Sequence, residues 1–112
     1  MDQPSLDEDA LSEASREEII AALFQQLVMQ QTNMALMFLG RIPHPETQET
    51  VRDLENAKLY IDQLEMLENR TKGNLTLVEE SLLRKSLVTV RGHLVEELEA
   101  EDAGDGPVVN GD

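Results

Sequence analysis

The sequence has no cysteine and no tryptophan, and only three aromatic residues, Phe24, Phe38 and Tyr60. Without cysteine there is no disulfide framework, no thiolate metal site and no cysteine nucleophile, which agrees with a reducing, cytoplasmic setting. With so few aromatics, the core has to be built from aliphatic side chains and methionine. No apolar run reaches the ~18 residues a membrane-spanning helix needs. The opening Met1-Asp2-Gln3-Pro4-Ser5-Leu6-Asp7-Glu8-Asp9 is acidic and lacks an apolar stretch, so neither a secretory leader nor an Arg-rich transit peptide is expected. No alternating strand pattern and no internal repeat is visible.

Basic residues are also scarce, and their shortage is uneven. The 112 residues carry a net charge of -14. Residues 1–18 hold seven acids and one base, and residues 96–112 hold seven acids and none; the 77 residues between them are close to neutral at -1. The acidity therefore belongs to the two ends, a pattern typical of solvated tails rather than of a folded acidic surface. A domain of this size buries a modest core and often gains stability by oligomerising.

Three amphipathic segments fill the middle. Ser15-Arg16-Glu17-Glu18 has capping-box spacing, and the apolar residues from Ile19 to Phe38 recur every three or four positions. This predicts a first helix over about 15–39, stopped by Gly40 and by the prolines of Arg41-Ile42-Pro43-His44-Pro45. A second helix is predicted over about 47–72, with Val51, Leu54, Ala57, Ile61, Leu64 and Leu67 on its buried face. The joint Thr71-Lys72-Gly73-Asn74-Leu75-Thr76 reads as a stop and a restart: Gly73 and Asn74 tolerate left-handed backbone, and Thr76 with Glu79 forms a capping box. A third helix over about 77–100 follows, with Leu83, Leu87, Val90, Leu94 and Leu98 in phase and Gly92 as a weak point, explained equally well by a close helix crossing or by simple tolerance. Short connections make consecutive helices antiparallel neighbours. The predicted fold is all-α, an antiparallel helical hairpin or three-helix bundle over 15–100, with disordered acidic tails at 1–14 and 101–112.

Several of these strings also carry a family resemblance. Leu39-Gly40-Arg41-Ile42-Pro43-His44-Pro45 is similar to an LGxIPxP element. Asp53-Leu54, Ala57-Lys58 and Ile61-Asp62-Gln63-Leu64-Glu65-Met66-Leu67 are similar to DLxxAKxxIDxLxML. Thr71–Thr76 reads TKGNLT without change. In this order, over about residues 20–95, the chain resembles a small bacterial family known as a domain of unknown function, number eighteen forty-four. Glu46-Thr47-Gln48 departs from the family's usual Thr-Gly after the second proline, and His93 or Leu94 stands at an often aromatic position. The resemblance implies a helical bacterial protein without assigned activity or catalytic residues. It also suggests, from the genes that neighbour some relatives, an accessory role in translation.

Candidate chemistry is sparse. His44 and His93 are the only histidines, one between prolines and one beside Glu96 and Glu97; a metal centre needs a tighter set. The helical acids lack the Glu-x-x-His pattern of a di-iron bundle, and no cofactor is expected. Lys58 and Asp62 suit an i,i+4 ion pair at the edge of the apolar stripe. No glycine-rich phosphate loop or nucleophile–base set occurs. The second and third helices are too long and acidic for a DNA-reading helix-turn-helix, so direct nucleic-acid binding is not expected.

The first helix stands out because residues 19–39 contain no charge at all. An interfacial membrane helix would carry Lys and Arg there. Met29, Met34 and Met37 lie among glutamines, on too much of the circumference for one core to bury all three, and methionine makes adaptable contact surfaces. The sequence thus predicts a non-enzymatic module acting by self-association or protein binding through the first helix, with Leu23, Leu27, Met34, Met37 and Phe38 as the candidate surface. The alternative is a translation accessory factor using its acidic tails against basic ribosomal proteins.

Overall fold

The computed structural model describes residues 5–104. Its elements are α1 (Ser5–Phe38), α2 (Leu54–Arg70) and α3 (Leu77–Gly104), each packed against the other two. The described residues contain no strand. The shared core is Val28 and Ala35 of α1, Ile61 and Leu64 of α2, and Leu83, Leu87 and Val90 of α3. These are the three-and-four positions expected from the sequence, so the predicted antiparallel bundle is the fold. Two hydroxyls join the core: Thr32, whose Oγ1 donates to the Val28 carbonyl at 2.7 Å, and Ser86.

The helix boundaries differ from the predicted ones. Helix 1 starts at Ser5, not Ser15, so the expected tail of residues 1–14 is helical from Ser5 onward; its first four residues lie outside the described residues. α2 starts at Leu54, not near 47. Its N-cap is Asp53, extended at φ -140° and ψ 92°, whose carboxylate accepts from the Asn56 backbone N–H at 3.2 Å and from the Asn56 side chain at 2.9 Å. α3 runs on to Gly104, so the first part of the expected C-terminal tail is helical; residues 105–112 lie outside the described residues.

Both turns are closed by named bonds. At the end of α1, the Gly40 N–H donates to the Met37 carbonyl and the Arg41 N–H to that of Leu36, with Gly40 at φ +78°. This is the Schellman arrangement that satisfies free carbonyls at a helix end. The Asp53 N–H then returns to the Phe38 carbonyl at 2.8 Å, so the residue that caps α2 also closes α1. Gln48, at φ 63°, is the one described non-glycine residue with positive φ; its N–H donates to the His44 carbonyl. At the second turn Gly73 takes φ +81°, the Thr71 Oγ1 donates to the Leu67 carbonyl, and Thr76 and Glu79 exchange both bonds of the capping box at 3.0 and 3.1 Å. Asn74 does not need left-handed backbone. Lys72 sits in this turn, beyond the end of α2.

The loop of residues 41–53 is fastened to α3 by charge. Arg41 reaches Glu96 and Glu97 at 2.9 and 3.0 Å, and Arg52 reaches Glu97 and Glu101 at 2.6 and 3.1 Å. Hydrogen bonding to Glu97, then to Glu101, outweighs partial burial and raises the Arg52 pKa above its ordinary value. Individual exposed pairs of this kind contribute at most about 1 kcal/mol, but a network of five charges joining the loop to α3 positions that loop.

Two glycines predict opposite outcomes. A Cβ at Gly92 would meet nothing within 4 Å, so no close helix crossing requires that glycine. Gly92→Ala should therefore stabilise the protein by roughly 0.5–1 kcal/mol in chemical denaturation. A Cβ at Gly40 would sit 3.3 Å from the Val51 carbonyl oxygen on left-handed backbone. Gly40→Ala should destabilise the protein by at least about 1 kcal/mol in the same assay.

Candidate interaction face on α1 and α2

α1 carries two apolar stripes. Phe24, Val28, Ala35 and Leu39 face the core, with Val28, Ala35 and Leu39 buried and Phe24 partly so. Ile20, Leu23, Leu27 and Met34 form a second stripe, rotated by roughly a quarter turn at 3.6 residues per turn. This stripe is open: Ile20, Leu23 and Leu27 are 50, 58 and 44% exposed, and Met34 is half-buried.

The openness has a geometric cause. α1 has 34 residues and α2 has 17, or about 51 and 26 Å at 1.5 Å per residue. Leu27 lies beside Met66 and Leu67 near the end of α2, so the part of α1 before Phe24 extends past the bundle. From Ser12 to Leu23 every residue whose side chain is described is exposed. Where α1 does run along α2, Leu27, Gln31, Gln63, Met66 and Leu67 line a shallow groove of about 290 Å³. Leu59 and Met66, each about half-exposed, continue it along α2. The Gln31 amide donates to the Gln63 side-chain oxygen across the groove floor, a polar pair set in an otherwise apolar seam.

The residues predicted for this surface divide. Leu23 and Leu27 lie on the open stripe, with Met34 at its edge. Met37 does not: it is buried at 5% exposure, in the last turn, where the loop 39–53 closes the helix end. Phe38 is half-buried because its ring stacks on Tyr60, with centroids 5.9 Å apart and planes 13° apart. Of the three methionines, Met37 is buried, Met34 half-buried and Met29 exposed. The α2 half of the groove, Leu59, Gln63 and Met66, was the part sequence reasoning missed. Leu59 and Met66 are apolar positions outside the predicted buried face of α2, and which helix they flank is a non-local fact.

The polar candidates have local partners. Lys58 and Asp62 pair at 3.1 Å, both exposed, as their spacing predicts. His93 faces Glu96 at 3.2 Å, while Arg91 is drawn to Glu65 of α2 at 2.9 Å and Glu97 to the two loop arginines. His93, Arg91 and Glu97 therefore do not converge on a cleft. His44 accepts from the Glu46 N–H within its loop. Among the described residues no three His, Cys, Asp or Glu side chains are grouped to hold a metal ion, and no helix is long and apolar enough to cross a membrane. The joint Thr71–Thr76, including Lys72 and Leu75, is accounted for by the turn it makes.

No curated protein and no solved structure matches the chain in comparison. One family model does match, over residues 21–96, the span that runs from the open stripe through all three helices to the charged clamp. The chain belongs to that family, the domain of unknown function DUF1844.

Proposed function

We propose that this protein is a non-catalytic association module whose contact face is the open stripe of α1 together with the adjoining groove on α2. The observation that carries this reading is the run of half-exposed aliphatic residues Ile20, Leu23, Leu27, Leu59 and Met66 on one side of the bundle. Single exposed apolar residues are ordinary, but a contiguous apolar patch rimmed by polar groups marks a protein contact. The absence of charge from residues 19–39 supports the same reading. A helix that is neutral over that length is ordinarily covered.

Leu27 sits at the centre of this face, and Leu27→Asp tests it. The position is 44% exposed in the single chain, so the substitution should leave helicity by circular dichroism unchanged. It should weaken association at least ten-fold, a loss of about 1.4 kcal/mol or more, because a carboxylate would be desolvated in the contact. The measurement is sedimentation of the purified chain over a range of concentrations, paired with affinity capture from the native host. Unchanged mass and unchanged capture in Leu27→Asp would contradict the reading. A partner that is retained by Leu27→Asp but released by salt, with co-sedimentation on ribosomes, would instead favour the accessory-factor alternative acting through acidic ends.

A further inference from the structure

We infer that the occupant of the α1–α2 groove is a second copy of this chain, arranged two-fold and antiparallel so that the projecting part of each α1 becomes the fourth helix of the other bundle. This rests on the association reading above and adds the partner and the geometry.

Three observations single out a second copy. The first is length. The projecting part of α1 spans Ser5–Leu23, about 28 Å at 1.5 Å per residue, and α2, which forms one wall of the groove, is about 26 Å long. The lined stretch of the groove, Leu59 to Leu67, takes up about 12 Å of that wall, and the same chain holds out a helix long enough to cover it, with Ile19, Ile20 and Leu23 at least half-exposed. The second is symmetry. The groove begins beside Leu27, where the projection ends, so a two-fold axis at Leu27 carries each projection along the other copy's groove. Such a contact is isologous and closes on itself. It sets Ile20 against Met34 and Leu23 near Gln31, and the Gln31–Gln63 pair can fix register as a lone polar pair does in a coiled coil. The apolar side chains so covered expose on the order of 600 Å² per copy, approaching the roughly 800 Å² per partner of a stable interface.

The third is charge. A chain of net charge -14 should resist self-association, yet residues 19–39 are neutral and bring no like charges together at the contact. In the antiparallel arrangement the acidic turns around Glu13, Glu17 and Glu18 move away from their own symmetry copies. They come to lie near the far end of the other bundle, where Arg41 and Arg52 are already paired with Glu96, Glu97 and Glu101, so the antiparallel arrangement relieves repulsion by separating the two acidic segments and not by supplying free cations. A parallel pairing would set the two acidic segments side by side instead.

The chain has no cysteine, so single cysteines report the arrangement cleanly with a short bis-maleimide linker. Leu27→Cys should link to itself. Ile20→Cys alone should link at least ten-fold less, but should link to Met34→Cys when the two proteins are mixed. Val88→Cys, exposed on α3, sets the background. Self-linking of Ile20→Cys equal to that of Leu27→Cys would mean a parallel pairing and overturn the inference. So would a dimer that links at none of these positions above the Val88→Cys level, though it would leave association itself standing. A chain that sediments as a monomer at all concentrations would also overturn it; loss of native capture in Leu27→Asp would then show that the face serves a different protein, and retained capture would remove the association reading as well.

Discussion

Burying an apolar stripe requires a neighbour along its whole length, and two neighbours can flank only part of a helix's circumference. α2 and α3 cover the stripe of α1 that holds Val28 and Ala35. They leave the quarter turn beside it open: before Phe24 because α2 ends near Leu27, and beyond Leu27 because no other helix of the described residues lies along the outer side of α1 and α2. The mismatch in length between α1 and α2 thus sets the projecting helix, and the limited cover of two neighbours sets the groove beside it. A fourth helix would convert the three-helix arrangement into the four-helix form, in which each helix has two neighbours and a core seam.

The rest of the chain holds that mismatch rigidly. The Schellman turn at Gly40, the return bond from Asp53 to Phe38, and the Phe38–Tyr60 stack fix α2 against the last turns of α1. Arg41 and Arg52 then tie the connecting loop to Glu96, Glu97 and Glu101 of α3. At the other end the capping box of Thr76 and Glu79 starts α3 directly after the turn. With both ends fixed, the groove keeps its shape without an occupant, and a preorganised face binds at lower entropic cost than one that must be ordered first.

Much of this was legible in the sequence because it is local chemistry. The joint Thr71–Thr76, the in-phase core of α3 and the stop at Gly40 follow from capping groups, periodicity and backbone preference. The errors also have local causes. Thr47, just past the prolines that stop α1, looks like a helix start, yet the true cap is Asp53, which is followed by an apolar residue and an acid in the first turn. Ser15 has capping-box spacing, but the helix runs through it from Ser5. What could not be read is non-local. Met37 shares the side of α1 that holds the open stripe and is buried because the chain folds back beside it. The arginine clamp joins residues 45 to 56 positions apart. The open face was partly legible, from the missing charge between Ile19 and Leu39.

The most direct measurement of whether the second stripe is an association face is amide hydrogen exchange along α1 at two protein concentrations. If the projecting turns pack on another chain, the amides of residues 15–23 exchange slowly in concentrated protein and quickly on dilution, while those of residues 28–38 stay protected in both. Equal exchange of residues 15–23 at every concentration, with or without protein recovered from the native host, would contradict a role for this face in association.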